Sequence, residues 1–153
     1  MPEEFFLSFL KKEQIAKDTY AFYFDRKGKD FDFSAGQYMR MTLEIQHPDD
    51  RGSSHLFSIA SSPLEKDYIM IVTKILASTF KKALFNLIPG KEVKFFGPIG
   101  RFVLEEEVKP YVFLAGGIGI TPFHSILTYI AAKNLSISVT FFVSFSKGED
   151  VIF

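Results

Sequence analysis

Two short stretches carry residue types able to hold a cofactor. One is Leu114-Ala115-Gly116-Gly117-Ile118-Gly119-Ile120-Thr121-Pro122. Glycines let a backbone turn sharply and let a phosphate come close, and a helix starting behind them offers free N–H groups and a positive partial charge. The spacing is GxGxxP, with Pro122 in the third place. The same residues also suit a tight strand-to-helix turn with no ligand. The other stretch is His55-Leu56-Phe57-Ser58-Ile59-Ala60-Ser61-Ser62-Pro63. Strand alternation puts His55 and Phe57 on one face and Ser58 on the other. An aromatic ring can stack on a planar ligand, and a hydroxyl beside it can hydrogen-bond a ring nitrogen. Taken alone, this is also an ordinary amphipathic strand.

The hydrophobic pattern supplies the elements that must position them. Tyr20, Phe22 and Phe24 alternate with Ala21 and Tyr23, the period of two of a strand. Residues 25–30, with Gly28, read as a turn. Met39, Met41, Leu43 and Ile45 alternate with Tyr38, Arg40, Thr42 and Glu44 in a two-faced strand. Residues 49–54 form a polar loop, 56–60 a strand, 63–67 a turn and 69–75 a β-branched strand. Short strands between turn signals point to a small antiparallel barrel or sandwich. Phe80, Leu84, Leu87 and Ile88 recur at helical spacing between Ser78-Thr79 and Pro89-Gly90, which predicts a short helix plugging one barrel end. Residues 93–96 resume as a strand, and Gly97-Pro98-Ile99-Gly100 is expected to be a loop.

Residues 105–110, charged and ending in Pro110, read as a linker, with Glu105-Glu106-Glu107 as a solvated face. Beyond it come a buried strand over 111–115, the glycine loop over 116–119, and a helix over 122–133. Phe123, Ile126, Leu127, Ile130 and Ala131 form the apolar face of that helix, and Asn134 closes it. Residues 137–144 form a second strand. Strand, helix, strand is one right-handed crossover unit of a parallel sheet. Such strands normally have neighbours on both sides, and the sequence ends on Val151-Ile152-Phe153. The expectation is that the sheet continues in a longer chain, or that its open edge is covered by a partner or by self-association.

Composition narrows the classes. A length of 153 residues, 47% apolar, suits one domain plus part of another around a packed core. The 19 Phe and 6 Tyr read as a β-rich core. Eighteen basic against 18 acidic side chains argue against a nucleic-acid groove or a membrane-binding patch. With no cysteine there is no disulfide framework, thiolate zinc site or cysteine-held iron–sulfur cluster. His47, His55 and His124 lack metal-ligand spacing, so no metal is expected. Residues 111–123, nearly uncharged, are too few to span a bilayer, and Met1-Pro2-Glu3-Glu4 is too acidic for a signal peptide. A soluble cytoplasmic protein follows as the expectation.

Four ordered motifs give the chain a resemblance to a known family. Phe33-Ser34-Ala35-Gly36-Gln37-Tyr38, the stretch His55 to Ser58 continued by Ser61-Ser62-Pro63, Gly97-Pro98-Ile99-Gly100-Arg101-Phe102, and the glycine loop resemble the ferredoxin–NADP reductase superfamily of two-domain flavin reductases. The resemblance covers nearly the whole chain. It implies a β plus α/β fold: a six-stranded antiparallel flavin-binding barrel with a capping helix over residues 1–107, then the first strand–helix–strand unit of a parallel NAD(P)-binding sheet over 110–153. It implies FAD rather than FMN, NAD(P)H as co-substrate, and an electron acceptor such as a redox protein. The activity implied is that of a flavin-dependent oxidoreductase passing electrons between NAD(P)H and that acceptor through FAD. Two alternatives stand beside it: an electron-transfer module of a larger complex without independent turnover, and a flavin-free interaction domain on the same barrel.

The resemblance also assigns roles by position. His55, Leu56, Phe57 and Ser58 fall on the flavin motif. Phe57 would stack on the isoalloxazine, and Ser58, the catalytic candidate, would hydrogen-bond the flavin nitrogen that receives the hydride. Val72, Thr73 and Lys74, with Ala77, Ser78 and Thr79, would line the ribityl and diphosphate region. Gly116, Gly117, Gly119, Thr121 and Pro122 would bound the nicotinamide pocket. The loop Ser144-Phe145-Ser146-Lys147-Gly148-Glu149-Asp150 offers both signs of charge and leaves NAD versus NADP open.

Two positions depart from the family pattern. Ala77 stands where glycine is common, and His55 stands where the motif carries a diphosphate-gripping arginine, with Lys74 as the candidate to compensate. A neutral imidazole offers one donor against a bidentate guanidinium. His55→Arg is therefore expected to tighten FAD binding by about ten- to a hundredfold and to flatten its pH dependence near neutrality. Fluorescence titrations across pH that give equal dissociation constants for the two forms would contradict this.

Overall fold

The computed structural model describes residues 1–105, 107 and 109–153, so the linker and boundary expected between 105 and 110 lie partly outside the described residues. The barrel begins with a strand that the turn signals did not reveal. In β1 (Glu3–Ala16), Phe5, Leu7 and Phe9 turn inward, and the charged second half runs along the rim. Residues Glu3 to Ser8 pair antiparallel with β6 (Glu92–Ile99), and Phe9 to Ala16 pair with β2 (Thr19–Asp25). A register shift between Phe9 and Lys11 bends the strand from one partner to the other, as an inserted residue does.

With β3 (Tyr38–Thr42), β4 (Ser54–Ser58) and β5 (Tyr68–Lys74), the six strands run in the order β4-β3-β6-β1-β2-β5. Every pairing is antiparallel. The sheet curls far enough for the Ala60 N–H, just past β4, to donate to the Met70 carbonyl of β5 at 2.8 Å. Phenylalanine fills the interior: Phe9, Phe22, Phe24, Phe80 and Phe95 are fully buried, with Phe24 edge-on to Phe95 at 5.1 Å. Helix α1 (Thr79–Phe85) adds Phe80 and Leu84 to this core and closes one end. Arg26, 3% exposed, ties the connecting loops by donating to the Phe31, Pro63 and Glu65 carbonyls.

The expected loop at 97–100 is a strand up to Ile99. Gly97 and Pro98 both lie opposite Met39, between the Tyr38–Ile99 and Arg40–Phe96 pairs, so the proline occupies a bulge where its missing N–H is tolerated. The second unit is β7 (Tyr111–Gly116), a 3-10 turn (Gly117–Ile120), α2 (Thr121–Lys133) and β8 (Val139–Ser144), with the two strands parallel. Asn134, in the left-handed region at φ 52°, ends α2. The expected burial of residues 111–115 is corrected: only Phe113 is buried, while Val112 and Leu114 are 65% and 70% exposed. The helix covers one face of this sheet and leaves Val112, Leu114 and Phe142 uncovered on the other.

The first resemblance motif has a steric cause. Gly36 sits at φ 99°, and a Cβ there would lie 2.3 Å from the Phe102 carbonyl oxygen. Beside it Gln37 donates from Nε2 to the Gly100 carbonyl at 3.1 Å, pinning the motif to the end of β6. Gly36→Ala is expected to cost about 3 kcal/mol or more, combining backbone strain with a clash against main chain. Gly28→Ala, at φ 69° with nothing within 4 Å of its Cβ, carries the strain alone and should cost about 1 kcal/mol. Urea midpoints that fall equally for the two variants would refute the steric account.

Candidate functional site

Strand β4 delivers the flavin-motif residues. Its ladder with β3 sets Phe57 opposite Met39 and His55 opposite Met41, both methionines being fully buried, so these two side chains turn toward the interior. Leu56, 60% exposed, and Ser58 turn outward. The Ser58 hydroxyl forms no hydrogen bond within the described residues. Phe57 is 7% exposed; its ring stacks with Phe80 at 5.9 Å, and Lys81 Nζ stands 4.8 Å from its centroid. His55 lies on the other side of the same contact, its ring 4.2 Å from Phe80, and its Nε2 is buried without a hydrogen-bond partner. Burial first, and then the Lys81 cation, push the imidazole pKa down, which keeps His55 neutral.

Strand β5 divides the residues expected along the ribityl and diphosphate region. Thr73 turns toward α1, where its hydroxyl accepts from Lys81 Nζ. Val72 turns the other way, into a cluster with Ala21, Ala60, Met70, Ile120 and Ile152. Lys74 is ion-paired with Asp150 at 2.9 Å, so its charge is matched within the chain. Ser78 caps α1 by accepting from the Lys81 N–H at 3.0 Å. Thr79 exchanges two bonds with Asp49: the Thr79 N–H donates to Oδ2 at 3.1 Å, and the Asp49 N–H donates to Thr79 Oγ1 at 2.9 Å. Arg51 Nη2 spans Asp49 Oδ2 at 2.9 Å and the Ala77 carbonyl at 3.0 Å. Asp49, Arg51 and Lys81 were not singled out from sequence. Asp49-Asp50-Arg51-Gly52 carried only a turn signal, and Lys81 read as the polar face of a helix.

The glycine loop lies on the other side of the barrel's β4–β5 seam. Gly117 takes φ 50°, but at Gly116 and Gly119 the backbone is ordinary and an added Cβ would meet nothing within 4 Å. This chain's own sterics therefore do not require glycine at those two positions. Thr121 is turned inward, its hydroxyl donating to the Ile118 carbonyl at 3.0 Å, and Pro122 occupies the first turn of α2. A crevice of about 150 Å³ opens beside Gly117 and Ile118, bounded by Thr19, Lys74, Asp150 and Ile152.

Two hydrogen bonds fix this loop to the flavin motif. His124 Nδ1 donates to the Ala60 carbonyl at 2.8 Å, and Ser125 Oγ, fully buried, donates to the Ser61 carbonyl at 2.7 Å. Ala60 and Ser61 directly follow β4. The first turn of α2, which ends the glycine loop, is thus fastened to the exit of the strand that carries Phe57 and Ser58. Neither His124 nor Ser125 stood out in sequence, because a helical polar residue gives no sign of what it will meet across a domain contact.

Comparison with known proteins agrees with this arrangement. A family model described as oxidoreductase FAD-binding domain matches residues 7–104. The chain belongs to this FAD-binding oxidoreductase family. It is 31% identical over 132 residues to an NADPH oxidoreductase of Mycobacterium tuberculosis, covering 82% of this chain and 34% of that protein. It is 28% identical over 126 residues to the glycine betaine monooxygenase reductase subunit of Pseudomonas aeruginosa, covering 80% and 34%. Phthalate dioxygenase reductase shares the fold, with a TM-score of 0.82 at 23% identity, over 98% of this chain and 46% of that one. The chain therefore spans about a third of the length of the curated relatives it matches. Among the described residues no helix is long and apolar enough to cross a membrane.

The side chains that meet between β4, β5 and α1 suit the cofactor of the FAD-binding family. A buried imidazole nitrogen awaiting a partner is costly unless a ligand supplies one. The Asp49 strap beside it has a pH signature. The hydrogen bond from Arg51, and then that from the Thr79 N–H, hold its carboxyl down to about 2. A depressed carboxyl pKa adds stability above the unfolded value of about 4 and loses it as pH falls through the folded value. Asp49→Asn is thus expected to melt below the wild type at pH 6, with the two melting temperatures converging between pH 4 and 2. A gap that stays constant over that range would show that the charge of Asp49 contributes nothing.

Proposed function

We propose that this chain is the FAD-binding unit, with the start of the nucleotide-binding unit, of a flavin-dependent oxidoreductase that passes electrons between NAD(P)H and an acceptor. The observation that carries this reading is the fastening of α2 to the exit of β4 through His124 and Ser125, which ties the glycine loop to the flavin motif. Bound FAD supplies the redox chemistry, accepting two electrons as a hydride and releasing them singly or in pairs. The chain supplies stacking, anchoring and alignment. Phe57 is the platform for the flavin ring once the Lys81 ammonium leaves it, and Ser58 presents its unengaged hydroxyl to the ring nitrogen. Thr73 and His55 face the diphosphate side. The open backbone at Gly116 and Gly119 leaves room for close approach of the nicotinamide nucleotide.

A second reading is favoured by the relatives. The glycine betaine protein is a reductase subunit, and a terephthalate 1,2-dioxygenase protein of Comamonas sp., 30% identical over 115 residues, is a reductase component. On that reading the chain acts as the electron-transfer part of a larger assembly, its acceptor a redox protein or oxygenase. Its sheet edge, open at both β7 and β8, would meet further sheet or a second copy. We place it in the cytoplasm on either reading.

The test is uptake of FAD by the chain, followed by flavin fluorescence and absorbance. One equivalent bound, with FMN weaker than FAD, is the expected result. A chain that stays colourless at saturating FAD would leave only an interaction domain on the same barrel.

A further inference from the structure

We infer that Lys81 grips the diphosphate of the bound dinucleotide, doing from α1 the work that His55 cannot do from β4. The inference rests on the FAD-binding reading above, and its support is the accounting of charge around the cleft. Arg51 is matched by the Asp49 carboxylate at 2.9 Å, and Lys74 by Asp150 at 2.9 Å. Among the described residues, Lys81 has no carboxylate partner. Its ammonium is half-buried, bonded to the Thr73 hydroxyl and laid over the Phe57 ring. A desolvated cation without a counter-charge is unfavourable, and burial alone lowers its pKa to about 8. The neighbouring His55 Nε2 is buried and unbonded, so an ammonium without a carboxylate partner and an unpaired imidazole nitrogen lie on the two sides of the Phe57–Phe80 contact.

FAD carries its negative charge on the diphosphate, while its ring and ribityl chain are neutral. The group that answers an unmatched ammonium is therefore the diphosphate rather than the ring. The same movement has a second effect. Drawing Nζ toward the phosphates takes it off the face of Phe57, which frees that ring to receive the isoalloxazine. Lys81 thus exchanges the face of Phe57 for the phosphates as the cofactor binds.

The experiment titrates FAD and riboflavin into the wild-type chain, Lys81→Met and Lys81→Arg, with thermal melts of each. Removing one charge-assisted contact should weaken FAD by about tenfold or more in Lys81→Met, and Lys81→Arg should stay within about threefold of wild type. Riboflavin, lacking the diphosphate, should bind wild type and Lys81→Met alike. Lys81→Met should melt at or above the wild type, because a half-buried charge is replaced by an apolar chain of similar length. Unchanged FAD affinity in Lys81→Met overturns this inference alone, and so does an equal loss for riboflavin, which would put the ammonium at the ring. A lower melting temperature with unchanged FAD affinity would make Lys81 a purely structural residue. No FAD uptake by the wild type overturns this inference together with the reading it rests on.

Discussion

The arrangement depends on where two main-chain carbonyls point. Strand β4 ends at Ser58, and the next residues leave the ladder with the carbonyls of Ala60 and Ser61 directed at α2 rather than at another strand. A buried carbonyl must find a donor, and His124 and Ser125 supply them from the first turns of the helix. Ala35, Phe113, Ile126 and Ile130 pack as one cluster, and Ala60, Met70, Val72, Ile120 and Ile152 as another, so apolar contact flanks the polar pair. The result is a direct polar tie between a strand end and the helix behind a glycine turn, the alignment on which the proposed hydride transfer would rely.

Around the α1 cleft, electrostatics replaces what the motif lacks. A guanidinium at position 55 would carry its own charge and fork. His55 is held neutral by burial and by a neighbouring ammonium, so the positive charge beside the Phe57 ring stands on α1 rather than on β4. Asp49 and Arg51 form an ion pair bonded to Thr79 and Ala77 at the start of α1. Beside them the rings of Phe57 and His55 both pack against Phe80.

Much of this was legible in the residues. Alternation gave β2, β3 and the opposed faces of Phe57 and Ser58 on β4, because period two leaves one choice once a face is buried, and a β-branched run gave β5. Helical spacing and caps gave α1 and α2 with their caps Ser78 and Asn134, although α1 stops at Phe85, short of the Leu87 and Ile88 that the spacing includes. Strand β1 was passed over because its second half, Lys11 to Gln14, is charged and runs on the barrel's exterior rim, which mimics a polar loop. The strand at 97–99 was hidden by a Gly-Pro pair that signals a turn and here fills a bulge. The partners of Lys74, His124 and Ser125 could not be read, since each lies far away in sequence and no local pattern records it.

Strand β1 has one more implication. Its first half is bonded to β6, Glu3 facing Gly97, and its second half to the adjacent β2. The hairpin with β2 can close as soon as it is synthesised, whereas the other half must wait for residues nearly at the end of the barrel. Contacts of such sequence separation carry a large loop-closure entropy and slow the search. During synthesis, the apolar residues Phe5 and Leu7 have no strand partner until β6 emerges, so this half of β1 is the part of the barrel open longest to mispairing.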